Sequence, residues 1–263
     1  MINLLLDSKG EDRILLLSGG PKSHLAKKNL FAKGMKKRVV ITQPSIKPQK
    51  THSPLLGETI LDTQKIPFSA SLQNRGSDGW SVTKLIQSKS LDALLKALIP
   101  FTPKGSVWAG ALSYDLVQWT QPIRLQHPPQ EGEILAVLWL VENWIECEFD
   151  APELPLPVRI NGEKSSHNDA EHAEIVTRIK KSITQGELYQ LNFGRTWEGK
   201  LGEDPSEIFH RLSVNNPAPF SGYIEAADLG LALASSSPEI LLETRGKDCL
   251  LYTSDAADDV YCV

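Results

Sequence analysis

The chain has 263 residues, 41% of them hydrophobic and 23% charged, a balance that favours an apolar core over a disordered chain. Its formal net charge is −4 with both signs interspersed. This excludes a broad basic face for nucleic acid, and the run Lys36-Lys37-Arg38 is too short and lacks the aromatic interleaving to supply one. The apolar start from Met1 meets a charge at Asp7, too soon for a signal peptide or a membrane span. Cys147, Cys249 and Cys262 have neither metal-ligand nor disulfide-framework spacing, so the sequence reads as a reduced, cytoplasmic protein without a membrane segment or a nucleic-acid partner.

In chain order, short apolar or β-branched runs bounded by Gly, Pro, Asp or Ser predict strands over residues 3–6, 13–17, 38–42, 107–112, 134–139, 143–149 and 229–234. Residues 43–67, rich in Pro, Lys, Thr and Ser, predict a long irregular connection. A helix is expected over residues 91–98, with Leu91, Leu94, Leu95 and Leu98 on one face and Ser90 as its cap. Residues 151–166, Pro-rich and then polar, read as a surface crossing between two lobes. The clearest helix spans residues 169–184: Asn168 caps it, Glu171 completes a capping box, and His172, Val176, Ile179 and Ile183 form one stripe. Gly186 stands where a left-handed C-cap belongs. Asp204-Pro205-Ser206-Glu207 then opens a helix with Ile208, Phe209 and Leu212 facing the core. Strands with scattered helices and no regular βαβ alternation predict an α+β fold.

Beyond Leu242 no strand or amphipathic period is visible. The segment CLLYTSDAAD, residues 249–258, resembles the conceptual translation of a transposase-derived sequencing adapter. Residues 249–263 are therefore expected to be a non-native read-through tail, to be kept out of fold reasoning.

No catalytic constellation is complete. There is no Gly-rich phosphate loop, paired-His motif or nucleophile elbow, and the histidines, including His167, His172 and His210, lack ligand spacing. Four segments combine apolar strand character with Gly, Pro and polar punctuation: Leu4-Leu5-Leu6-Asp7-Ser8, Gly110-Ala111-Leu112-Ser113-Tyr114-Asp115-Leu116, Gly186-Glu187-Leu188-Tyr189-Gln190-Leu191-Asn192-Phe193, and Asn216-Pro217-Ala218-Pro219-Phe220-Ser221-Gly222-Tyr223 leading to Ser236-Ser237-Pro238-Glu239.

In this order the segments resemble the chorismate-binding enzymes: anthranilate synthase component I, aminodeoxychorismate synthase component I and their isochorismate-forming relatives. The resemblance runs from about residue 4 to residue 242. It implies a two-layer sheet-and-helix sandwich of the anthranilate synthase component I type, incomplete at its C-terminus, with residues 1–150 as the N-terminal lobe and 151–248 as the start of the chorismate-binding domain. Ser8 matches the family's LLES-type serine, and Pro219, Phe220 and Ser221 match the facing wall of a pocket that binds L-tryptophan in many members; a Pro-aromatic pair beside a hydroxyl suits an indole amino acid. Core packing of a sheet sandwich explains the same residues equally well. Glu239 matches the Glu of the family's S-P-E motif, implicated as an acid/base where the ring is substituted, a role that suits a carboxylate held at a strand end.

The implied reaction is amination of chorismate with ammonia from a glutamine amidotransferase subunit, assisted by Mg²⁺. The family's Mg²⁺ ligands and P-I-K-G-T segment lie downstream of S-P-E, so no metal ligands are expected here and the chain alone is expected to be inactive. Tyr189-Gln190-Leu191-Asn192 and the NPAPF spelling of residues 216–220 resemble the folate-branch aminodeoxychorismate synthases. The alternatives are anthranilate synthase component I, of tryptophan biosynthesis, and a non-catalytic tryptophan-binding module.

Overall fold

The computed structural model describes residues 2–19, 28–45, 67–120, 125, 127–147, 157, 159–240, 242–245, 248–251 and 260–262. Two five-stranded antiparallel sheets form its centre. The first takes β1 (Arg13–Leu17), β2 (Asn29–Lys33), β8 (Ile145–Cys147), β11 (Phe220–Ala226) and β12 (Leu231–Ser237), in the order β12-β11-β1-β2-β8. The second takes β3 (Lys37–Thr42), β4 (Phe68–Gly76), β5 (Gly79–Ser88), β6 (Val107–Leu112) and β7 (Ile134–Val141), in the order β5-β4-β3-β7-β6.

Because successive side chains on a strand point to opposite faces, apolar runs such as ILLL and VVI must be covered on both sides. Ile14 faces the other sheet and packs with Val40, Val137, Trp139 and Val141. Leu15 and Leu17 face the opposite way, into a cluster with Phe31, Phe209, Tyr223 and the helical Ile2 and Leu5. On β3, Val39 and Ile41 turn outward to Phe68, Leu94, Leu98 and Trp119. The α+β class is the one expected, and the sheet-and-helix layers stack sheet to sheet. Helices α1 (Ile2–Leu6) and α4 (Pro205–Asn215) cover the first sheet, while α2 (Leu91–Leu98) and a 3₁₀ turn, Tyr114–Trp119, cover the second.

The helix ends follow the sequence. Ser90 caps α2 by accepting from the Ala93 backbone N–H. Asn168 and Glu171 make the reciprocal capping box of α3 (Asp169–Thr184), at 2.9 and 2.8 Å. Gly186 adopts φ +74°, which a side chain rarely tolerates. Asp204 caps α4 through the Ser206 N–H, with Pro205 in the first turn.

Several expectations need correction. Residues 2–6 form helix α1, not a strand: Ile2 and Leu5, three apart, share the buried face, and the Ser8 hydroxyl and Arg13 guanidinium take the freed carbonyls of Leu4 and Leu5. Strand β8 keeps only three residues of the expected 143–149, whose last two lie outside the described residues. The expected strand at 229–234 starts later, at Leu231, because Ala227–Leu229 forms a 3₁₀ turn closed by Gly230 at φ +62°. Within the expected crossing at 151–166, residues 160–165 form β9 (Ile160–Ser165), paired with β10 (Trp197–Leu201); residues 151–156 and 158 lie outside the described residues. Of the expected connection at 43–67, residues 46–66 lie outside them too. After Leu242, where no strand was expected, β13 (Leu242–Arg245), β14 (Asp248–Leu251) and β15 (Val260–Cys262) pair in a small antiparallel sheet, and residues 252–259 lie outside the description. In β9 and β13–β15 backbone pairing outweighed the weak local apolar pattern.

Gly110 lies in β6 opposite Leu138. A Cβ there would come within 2.0 Å of the Val137 carbonyl oxygen, so this crossing of β6 and β7 admits no side chain.

Candidate functional site

Three strand ends converge on the first sheet. Leu17, the last residue of β1, is in register with Ser221 on β11. Phe220 and Ser221 are in turn opposite Ser237 and Ser236 of β12. The fold therefore brings the Pro-Phe-Ser segment beside the Ser-Pro-Glu segment, although 15 residues lie between Ser221 and Ser237 in the chain. The junction is tied by backbone and hydroxyl groups. The Gly19 N–H donates to the Ala218 carbonyl at 2.9 Å, the Ser221 hydroxyl donates to the same carbonyl at 3.0 Å, and the Ser236 hydroxyl donates to the Asn216 carbonyl at 2.5 Å.

Ser221 is buried, while Pro219 and Phe220 are half-buried. Glu239 follows the end of β12 by two residues and is exposed. Its backbone is turned by Ser237, whose hydroxyl donates to the Glu239 carbonyl at 2.9 Å and accepts from its N–H at 3.4 Å. The carboxylate thus stands at a strand end, free to project from it. Ser8 is elsewhere. It is buried beyond the other end of β1, where its hydroxyl serves the Leu4 and Leu5 carbonyls at 2.7 and 3.2 Å. The four residues separating Leu17 from Arg13 span roughly 13 Å at the usual rise of a strand, so Ser8 and Ser221 flank the strand rather than share one contact.

The electrostatic focus of the molecule was not read from the sequence. Arg13 and Arg38 are both essentially inaccessible, at 0% and 1% exposure, and a buried cation must be paired to be tolerated. Arg13 Nε donates to Glu225 at 2.8 Å, its Nη2 donates to the same carboxylate, and Asp204 lies 3.4 Å away. The Tyr223 hydroxyl donates to Glu225 at 2.8 Å. Burial, together with the anionic Glu225 that accepts its hydrogen bond, holds the Tyr223 phenol well above the ordinary tyrosine range. Asp204 goes the other way. Burial pushes its carboxyl up, but the hydrogen bonds from Ser206, with Arg13 and Lys9 nearby, outweigh this and leave it below the usual carboxylate range.

Arg38 joins the sheets. It donates to Asp12 at 3.1 Å and, in two-pronged fashion, to Asp228 at 2.6 and 2.5 Å, and its guanidinium lies 4.3 Å from the Trp80 ring centroid. Asp12 also accepts from the Trp139 indole at 2.7 Å and from the Ala227 N–H at 3.1 Å. The available signal was an arginine directly before an apolar run, in RILLL of β1 and RVVIT of β3.

The third sequence segment, residues 186–193, contains no helix or strand. Its Phe193 ring packs 5.4 Å from both His167 and His172. His210 is buried in α4 with both ring nitrogens unpartnered among the described residues. Among those residues no group of three or more His, Cys, Asp or Glu side chains converges to hold a metal. The described residues therefore do not fit a Mg²⁺ site, and no chemistry is assigned through one. Among them, no helix is long and apolar enough to cross a membrane.

The Ser-Pro-Glu turn and the Pro-Phe-Ser segment beside it lie within a region that matches a known protein family. Residues 59–253 match the chorismate binding enzyme family, and the chain belongs to it. It is similar to "Anthranilate synthase alpha subunit 1, chloroplastic" of Arabidopsis thaliana, with 36% identity over 75 residues, covering 28% of this chain and 12% of that protein. It is similar to "Anthranilate synthase" of Azospirillum brasilense, 24% identical over 164 residues, covering 52% of this chain and 22% of the relative. It also resembles "Aminodeoxychorismate synthase component 1" of Bacillus subtilis (strain 168), 31% identical over 75 residues, covering 28% of this chain and 16% of the relative. The chain thus spans less than a quarter of the length of each of these relatives.

Proposed function

We propose that this chain belongs to a chorismate-aminating synthase of the aminodeoxychorismate synthase component 1 type. In this reading it contributes the Glu239 carboxylate to the transfer of ammonia onto chorismate. The observation that carries the reading is the exposed Glu239 at the end of β12, inside the region matched to the chorismate binding enzyme family. Substitution of a ring hydroxyl by an amine needs a proton delivered to the leaving oxygen and one taken from the nitrogen. A carboxylate projecting from a fixed strand end can do both in turn. The YQLN and NPAPF spellings support the folate branch. Ammonia would come from a glutamine amidotransferase subunit, and the expected Mg²⁺ would be held by residues other than those described. Pro219, Phe220, Ser221 and Ser8 would line or brace a tryptophan pocket.

A second reading, anthranilate synthesis, is favoured by one observation: the Arabidopsis thaliana relative, at 36% identity, carries that name. The test is the full-length gene product carrying this chain, supplied with chorismate, ammonium and Mg²⁺, its products separated against authentic 4-amino-4-deoxychorismate and anthranilate. Aminodeoxychorismate, falling on the order of 10²- to 10⁴-fold in Glu239→Gln, is the expected result. Anthranilate would establish the second reading, and turnover unaffected by Glu239→Gln would overturn the role of that carboxylate.

A further inference from the structure

We propose that the cleft at the β2–β3 turn is a binding site for a small, doubly charged oxyanion. The proposal does not depend on the synthase reading. The cleft has a volume of about 330 Å³ and is lined by Lys36, Lys37, Asn74, Arg75, Leu140 and Glu142. A smaller depression of about 100 Å³ adjoins it through Lys36, Leu140 and Glu142 and adds Lys33 to its wall. Four cations against one carboxylate make this a positive pocket on a chain of net charge −4.

The sequence run Lys36-Lys37-Arg38 divides here. Arg38 turns inward to Asp12 and Asp228, leaving the two lysines to the cleft. None of the four cations has a carboxylate partner among the described residues, whereas Arg13, Arg38, Lys9, Lys28, Lys96 and Arg195 each have one. The frame is fixed. The Arg75 N–H donates to the Lys36 carbonyl at 2.9 Å, Lys37 is in register with Asn74, and the Arg75 guanidinium lies 5.8 Å from the Trp80 ring centroid. The Trp80 indole N–H, opposite Arg75 in the β4–β5 ladder, is buried without an acceptor among the described residues. Leu140 and Met35, both buried, floor the site. The Arg75 guanidinium, opposite Lys36 and on the same face of the sheet, matches the oxygens of a phosphate or a dicarboxylate, and the volume admits only a small ligand.

The test is calorimetric titration of the folded chain at low ionic strength with inorganic phosphate and, separately, malonate. Saturable binding of either probe is expected, weakening as salt screens it, and falling about tenfold or more in Lys36→Gln/Arg75→Gln. Lys96→Gln, far from the cleft, should bind as the parent does. Phosphate binding alone assigns the site to phosphate-bearing ligands, and malonate binding alone to dicarboxylates. Should the double variant fold poorly, Lys36→Gln alone, at an exposed position, must still weaken binding by about threefold. Absence of saturation by both probes below about 10 mM, or unchanged binding in a folded variant, would overturn the proposal.

Discussion

The two stacked sheets and the segment running from β9 through α3 to β10 are both well formed locally, yet they are built on different physics. Every residue of β7 from Leu135 to Val141 is at most 8% exposed, while α3 has no buried residue and β9 is exposed throughout. In the sheets, structure is held by apolar contact on both faces and by buried charge pairs. Helix α3 is held instead by its capping box, its terminal glycine and its own backbone. The Arg195 guanidinium ties the region together by donating to Asp169 at 2.6 Å and to Ser165 at 2.8 Å. Strong helix signals in a sequence therefore report local cooperativity, not burial.

The largest effect should come from the sheet pair. Arg38→Met leaves Asp12, 1% exposed, without its cation, and should cost about 3–5 kcal/mol in denaturant unfolding. A loss below about 1 kcal/mol would show the pairing to be incidental. Adding Asp12→Asn should return part of the stability, since the unpaired charge is then removed.

The next effect is one of pH. Tyr223 has a raised folded pKa, so its contribution is complete below the unfolded value of about 10 and is lost as pH climbs beyond it. Asp204 has a lowered one, so its contribution is present above about 3.9 and is lost as pH falls further. Thermal melts across pH should show both declines. Tyr223→Phe should flatten the alkaline limb and leave the acid limb in place.

In the exposed region the effects are smaller. Asn168→Ala removes one half of the capping box and should cost about 1 kcal/mol, read as faster amide exchange confined to the first turn of α3. Ile183→Ser, on the apolar stripe at 39% exposure, should change stability by no more than about 0.5 kcal/mol. A loss of several kcal/mol there would mean that α3 is covered in solution and that the contrast with the sheets is false.

Periodicity and caps made α2, α3 and the start of α4 legible to within a residue or two, and the runs at β1, β3, β6 and β7 were equally plain. The β4–β5 hairpin escaped notice although Ser77-Asp78-Gly79 separates alternating Phe68, Ala70 and Leu72 from Trp80 and Val82, a pattern with a known turn chemistry. Helix α1 was hidden because five residues make little more than one turn, too few to tell a helical apolar pattern from that of a buried strand, and its end is fixed by Arg13, eight residues from Leu5 in the chain. The convergence of Phe220 and Ser221 with Ser237 was implicit in motif order, but only strand pairing could reveal it. The roles of Arg13 and Arg38 were out of reach, because charge and neighbours alone do not tell a surface cation from one enclosed by carboxylates such as Glu225 and Asp228, each more than 180 positions away.

Asp12 has a consequence for how the molecule opens. One carboxylate accepts from the indole of β7 in one sheet and from the backbone that follows β11 in the other. Prising the sheets apart strips from it at once the two donors of the second sheet, Arg38 and Trp139. Amides in β1 and β7 should therefore exchange with solvent at a common opening free energy, as a single cooperative block, while those of α3 exchange on their own schedule.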